Sequence, residues 1–368
     1  LKDLERIAGP VQARSHSPFG VMLTFQPGPS ALVPLARHPD VQTIEPERTR
    51  RFANDLSALR VGTARTETNQ EAYLGLSGRG VTIGINDSGV DDGHVDLAGR
   101  VAVLDNAVLR DSEGHGTHVA AIMAGAGKGK VAITPQGSVS NANFRGKAPE
   151  ARLFAQKVDL RLGPSSSDEA LQTNAAGRKI FISNNSWNYT GAFEYDSADA
   201  SYDAAVRDAL PGEPGMQSIL YVFAAGNDGF GESDGLGGTD DTISSPAMAK
   251  NVITVGALES LRNLTNSVIT DTNNRVVLKK DIKTNAPPGT YTTNAFLVAH
   301  TDSDNQVANY SSRGNTGVGI EGEFGRFKPD LVAPGSYIVS ARSRDWTIEN
   351  SMDTNSMLGI GNQQPALD

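Results

Sequence analysis

Apolar residues fall along this chain in short bursts of two rhythms. Gly80-Val-Thr-Ile-Gly-Ile85, Ala151 to Val158, Ile180-Phe-Ile-Ser183, Ile219-Leu-Tyr-Val-Phe-Ala224 and Val252-Ile-Thr-Val-Gly256 are brief and continuous. They are also rich in β-branched and aromatic residues, as strands buried on both faces are. Between them lie helical runs. One is the small apolar stretch Val119 to Ala124, a second spans Ser167 to Lys179, and a third spans Ser197 to Leu210 with Ala198, Tyr202, Ala205, Val206 and Ala209 on one face. Strands alternating with helices predict an α/β fold, a mostly parallel sheet covered by helices on both faces. In such sheets function gathers at the carboxyl ends of the strands.

Two regions depart from this rhythm. Residues 1–50 read as a small α+β unit, with a short helix around Leu4, Ile7 and Ala8, a strand in Gly20 to Phe25, a helix in Ser30 to Arg37 and an extended Asp40 to Glu45. Residues 51–60 are polar and aperiodic, as a linker or processing region is, and the main domain occupies 61–368. Within it, residues 262–306 are rich in Asn, Thr and Asp and predict a surface hairpin insertion, with strands in Arg275 to Leu278 and Ala295 to Val298. Lys328 to Gly335 reads as rigid turns, followed by a strand in Tyr337 to Ser340.

Composition narrows the function classes. At 368 residues and 38% hydrophobic content the chain can bury a large core. No stretch has the apolar length of a membrane helix, and the start, Leu1-Lys-Asp-Leu4, carries neither an initiator Met nor a signal-peptide pattern. The expectation is that processing or truncation removed the true start. Cysteine is absent, which excludes disulfides and thiol chemistry. The net charge of −9 argues against a nucleic-acid surface. Residues 1–60 carry eight Lys and Arg against six acids, a surplus of two that leaves −11 for the remainder.

Candidate chemistry sits where predicted strands end or helices begin. Asp87 follows one strand and His115 opens a helix between two glycines. A carboxylate orienting an imidazole lets the ring take and return a proton near neutral pH. Read alone, Asp87 is also an ordinary turn residue and His115 an ordinary helix start. A metal reading of His115 with His118 lacks an intervening glutamate and a third ligand. Ala224-Ala-Gly-Asn227 ends a strand on an amide donor suited to an oxyanion, or forms a plain Gly-Asn turn. Ser186-Trp-Asn188 leaves a strand with polar groups suited to an extended peptide, although Trp187 equally suits the core. Ser311-Ser-Arg-Gly314 reads as scaffold.

Seven pieces then fall in one order: Asp87-Ser-Gly89, Gly114-His-Gly-Thr-His-Val-Ala120, Asn185-Ser-Trp187, Ala224-Ala-Gly-Asn227, Ser245-Pro-Ala247 with Asn251 to Ala257, Ser311-Ser-Arg-Gly314, and Lys328-Pro-Asp330 with Ala333-Pro-Gly335. In this the chain resembles the subtilisin-like serine proteases, the subtilases of peptidase family S8. The resemblance implies the three-layer subtilisin-like α/β fold and an Asp, His, Ser triad in that chain order. It makes Asp87 the orienting acid, His115 the general base, Asn227 the oxyanion donor, and Ser186, Trp187, Asn188, Ala224, Ala225 and Gly226 the walls flanking a bound peptide. His118 becomes structural. Residues 1–50 resemble the inhibitory, folding-assisting propeptide of such enzymes, and the compartment implied is secreted or extracytoplasmic. No cofactor is required; structural calcium near Asp234 or Asp240-Asp241 is left unassigned. Polypeptides are the implied partners, with no nucleic acid and no membrane.

Two departures qualify this. Asn188 stands where the family has glycine. The family's nucleophile lies in a Gly-Thr-Ser-Met turn opening a buried helix, and no such turn occurs here; Thr354-Asn-Ser-Met357 lacks the Gly-Thr and the alanine-rich helix. The expectation is a chain that stops before its nucleophile, with the serine beyond Asp368, inactive and poorly stable by itself. The alternatives are a catalytically inactive subtilase-like peptide-binding or scaffold domain, and a serine-carboxyl peptidase, against which the intact His115 motif speaks.

Overall fold

The computed structural model describes residues 1–17, 20–41, 44, 57, 60–63, 74–104, 109–129, 135, 137–139, 141–158, 167–272, 287, 289–297, 300–346 and 366–367. The chain forms two compact units, Leu1–Arg51 and Phe52–Asp368.

In the first unit, α1 (Lys2–Ala8) is followed by strands β1 (Ala13–Ser17) and β2 (Gly20–Thr24), an antiparallel hairpin closing at Ser17 and Gly20. A 3₁₀ turn at Pro29–Ala31 leads into α2 (Leu32–Ala36). Leu4, Ala8 and Leu35 are its buried centre, with Ile7, Leu23, Phe25 and Val41 packed around them. The strand β1 is an addition to the sequence reading. The expected extended run at Asp40 to Glu45 falls largely outside the described residues.

The second unit is built on seven parallel strands in the order β11-β8-β7-β6-β3-β5-β4. These are β3 (Thr82–Asp87), β4 (Val101–Ala102), β5 (Arg152–Lys157), β6 (Ile182–Asn185), β7 (Leu220–Ala224), β8 (Ile253–Leu258) and β11 (Leu331–Pro334). Helices α3 (His115–Ala124), α4 (Asp168–Gly177) and α5 (Ser197–Arg207) cover it. Both α4 and α5 are capped at their amino ends: Ser167 accepts from the Ala170 amide, and Asp196 with Asp199 forms a reciprocal capping box.

The two sheet faces are covered unequally. On one, Phe154, Tyr221 and Phe223 pack with Ala175, Ala176, Tyr202 and Ala205. On the other, Ile85, Leu153 and Ala155 pack with Ala120, Ala121 and Ala124 of α3. Register places Leu220, Val222, Val255 and Leu331 on this second face as well. There Leu220 and Leu331 are 41% and 47% exposed, while Tyr221 and Phe223 opposite are 1% exposed.

Three expectations are revised. Lys328 to Gly335 is more than turns, because Leu331–Pro334 forms the edge strand on β8; an edge strand tolerates the missing proline N–H. The insertion is an antiparallel ribbon in which β10 (Tyr291–Leu297) takes in Ala295–Leu297 of the expected strand and begins earlier, and its partner is β9 (Thr265–Asp271). The expected strand at Arg275 to Leu278 lies outside the described residues. The strand expected at Tyr337 to Ser340 shortens to β12 (Ser340–Ala341), which pairs with β13 (Ala366–Leu367).

Candidate active site

Strands β3, β6 and β7 are hydrogen-bonded neighbours, so their carboxyl ends lie side by side. From these ends come Asp87, Ser186–Asn188 and Ala224–Asn227 respectively. Adjacent strands are separated by roughly 4.8 Å, which puts the three exits within about 10 Å of one another.

Asp87 is the last residue of β3, one step earlier than the turn position its sequence suggested. Its side chain is 2% exposed and accepts from His115 Nδ1 at 2.7 Å through Oδ1, which also takes the Ser88 amide at 2.8 Å. Its Oδ2 is buried and has no partner among the described residues. His115 is the first residue of α3, brought this close by Gly116: a Cβ there would stand 1.9 Å from the Gly89 carbonyl oxygen and 3.1 Å from Asp87 Cβ. Only glycine lets the helix start against the β3 exit.

The ring's electrostatics follow from these contacts. Burial works against the imidazolium, but the Asp87 charge and hydrogen bond, with Glu113 and Asp111 behind, outweigh it and lift the His115 pKa to about 9. Half of the side chain is exposed (50%), so water screens the more distant Glu113 and Asp111 more than the Asp87 contact. With Nδ1–H donated to Asp87, the neutral ring carries its lone pair on Nε2 and acts as a base there. Glu113 is raised above the usual carboxylate range by burial, opposed by the His115 charge.

His118, three residues on, faces the interior. Its Nε2–H donates to the Ile338 carbonyl at 3.0 Å, Ser340 Oγ donates to its own carbonyl at 2.7 Å, and burial lowers its pKa to about 4.

Asn227 is exposed on the turn after β7. That turn is braced from behind: Ser312 N–H donates to the Gly226 carbonyl at 3.0 Å and Ser312 Oγ accepts the Asp228 amide at 3.1 Å. Ser311 Oγ accepts the Ala257 amide at 3.0 Å, so the Ser311–Gly314 segment does serve as scaffold for this end of the sheet. Along the same wall Ala224 is exposed, Ala225 buried and Gly226 intermediate. Ser186, Trp187 and Asn188 are half-buried on the neighbouring exit. Trp187 packs edge-on against Tyr189 and Phe223, each at 5.6 Å between centroids, which anchors that exit to the core. A Cβ on Gly226 would meet Asn188 Nδ2 at 3.3 Å, so the Asn188 amide leans across toward the Ala224–Gly226 wall.

The chain returns here after β12. Arg344 donates to the Asp91 carboxylate through Nη2 at 2.6 Å and Nε at 2.9 Å, and Trp346 lies against Gly114. Sequence reading missed Ser88 and Asp111, whose hydrogen bonds fasten the β3 exit to α3. The one local signal was an Asp close upstream of a helix start. Among the described residues no group of three or more His, Asp or Glu is placed to hold a metal, and no helix is long and apolar enough to cross a membrane.

Comparison with known proteins gives the family. The chain is 30% identical over 273 residues to Serine protease AprX of Bacillus subtilis (strain 168), covering 73% of this chain and 49% of that protein. It is 30% identical over 207 residues to Subtilisin Savinase of Lederbergia lenta, covering 55% of this chain and 64% of that one. It thus spans about half the length of AprX. Among solved structures, Sphericase is similar with a TM-score of 0.46 and 25% identity, covering 79% of this chain and 75% of that one. The model of the subtilase family of S8 peptidases matches residues 78–365, and on that match the chain belongs to the subtilase family.

Proposed function

We propose that this chain is the acid- and base-bearing part of a serine endopeptidase, in which Asp87 orients His115, His115 moves the proton, and Asn227 binds the oxyanion. The observation that carries the reading is the 2.7 Å contact between His115 Nδ1 and Asp87 Oδ1, with the ring half open at the carboxyl edge of the sheet. His115 Nε2 takes the proton of the attacking serine hydroxyl as the oxygen bonds to the peptide carbonyl carbon. The same nitrogen then delivers that proton to the departing amine. Asn227 donates to the carbonyl oxygen as it gains charge. Ser186–Asn188 and Ala224–Gly226 border the substrate as two strand-like walls.

The serine comes from sequence beyond Asp368, in a Gly-Thr-Ser-Met turn opening a further helix. Two features support this placement: Arg344 and Trp346 carry the chain alongside Asp91 and Gly114, and the second sheet face beside α3 leaves Leu220 and Leu331 open. Residues 1–50 serve as the inhibitory and folding-assisting segment, and the enzyme acts outside the cytoplasm.

The test is expression of the longer reading frame with a casein or quenched-peptide substrate. Hydrolysis that is abolished by His115→Ala and by replacement of the downstream serine supports the enzyme. The second reading, an inactive peptide-binding domain, is favoured by Asn188 at the wall and by the lack of a Gly-Thr-Ser-Met turn in the 368 residues. Peptide binding without hydrolysis in the longer protein decides for it.

A further inference from the structure

The first turn of α3 is capped from outside the helix. Gly114, the residue before it, is left-handed (φ 86°) and makes no side-chain cap. Ser88 Oγ accepts the Gly116 amide at 2.9 Å, and Asp111 Oδ2 accepts the Thr117 amide at 2.7 Å and the Thr117 hydroxyl at 2.5 Å. Asp111 Oδ1 accepts the Gly114 amide and the Ser88 hydroxyl, both at 2.8 Å. The Ser88 hydroxyl therefore gives to Asp111 and takes from the helix.

Asp111 is fully buried, at 0% exposure. A carboxylate in the interior persists only when donors repay its lost hydration, and these four do so. A serine or asparagine next to the helix would cap it at less cost. What the observed arrangement adds is a connection: Ser88 follows Asp87 and Gly116 follows His115, so one hydroxyl and one carboxylate join the two residues that must meet.

We propose that Asp111 and Ser88 are the positioning residues of the base, locking the turn after β3 onto the first turn of α3 and thereby fixing the Asp87–His115 contact. Neither touches the substrate. The groups facing His115 are Asp87 from β3, Glu113 and Asp111 from the preceding turn, and His118 on its own helix, with Lys157 of β5 beside Glu113.

The test is NMR of His115 in the 368-residue chain, reading its titration midpoint and the downfield Nδ1–H resonance. Ser88→Ala is the discriminating variant because it changes no charge: a shift in the midpoint then reports geometry. We expect the midpoint to fall by about one pH unit and the Nδ1–H resonance to broaden. Ser88→Thr, which keeps the hydroxyl, restores both, and Asp111→Asn moves the midpoint further than Ser88→Ala. A folded Ser88→Ala chain with unchanged midpoint and resonance overturns the proposal. So does unfolding of both Ser88→Ala and Asp111→Asn, which would make the pair a structural cap alone. The proposal rests on His115 as the base, yet its readout involves no hydrolysis; an inactive longer protein sinks the peptidase reading and leaves this result standing.

Discussion

His115 and His118 are three residues apart on one helix and titrate in opposite directions. His115 is raised to about 9, so its protonated form is favoured in the folded state. Against an unfolded value near 6.5, this adds stability below that pH and loses it as pH climbs through about 9. His118, lowered to about 4, works the other way: its contribution is full above 6.5 and is lost as pH falls toward 4. NMR titration should give two midpoints on either side of the free value, and two midpoints near 6.5 would contradict both environments. On the proposed peptidase reading His115 must be neutral to act as base, so kcat/KM should rise on an alkaline limb above neutrality. Asn227→Ala should lower turnover by about 100- to 1,000-fold, the cost of losing the equivalent donor in subtilisin itself, with little change in KM. A loss below tenfold would remove Asn227 from the chemistry.

The helix and the turn that meet at His115 depend on Gly116. A methyl group there would overlap the Gly89 carbonyl, which stands 1.9 Å from the Cβ position. Gly116→Ala should destabilise the chain by about 2–3 kcal/mol or more, read as a lower denaturant midpoint, and should weaken the Asp87–His115 resonance at the same time. An unchanged midpoint would mean that the helix slides without penalty.

At this scale most of the sheet was legible. The continuous apolar runs of β3, β5, β6, β7 and β8 have one interpretation when separated by helical stretches. Asp87 and His115 were legible as a pair only through the ordered motifs of the family resemblance, since each alone reads as an ordinary turn or helix start; tertiary packing brings them to 2.7 Å. β11 was hidden by Pro329 and Pro334, which read as punctuation unless the strand is known to lie at an edge. β9 was hidden by its Thr and Asn content. Asp111 was hidden because a cap is sought at the residue before the helix, and here it sits farther upstream with its partners chosen by tertiary packing.

The molecule as a whole presents one sheet face unevenly. Leu220 and Leu331, at 41% and 47% exposure, lie on the side where α3 covers β3 and β5. Exposed apolar surface costs about 25 cal/mol per Å² relative to burial. The longer protein should therefore melt at a higher temperature than the 368-residue chain, and the latter should bind a hydrophobic dye that the former does not. Equal melting temperatures would show that nothing further packs on this face.

The strand order carries a consequence for how the molecule is made. Asn86 Nδ2 bonds Asn185 Oδ1 in the adjacent strand across a sequence separation of 99 residues. In synthesis from the amino end, β3 emerges long before β6, its neighbour at the centre of the sheet. The edge that holds Asp87, Ser186 and Asn227 can close only after that wait, and loops of such length are slow to close. A nascent chain that ends before β6 holds Asp87 and His115 without the Ser186–Asn188 and Ala224–Asn227 exits beside them, and this part of the sheet is complete only once β6 and then β7 have paired.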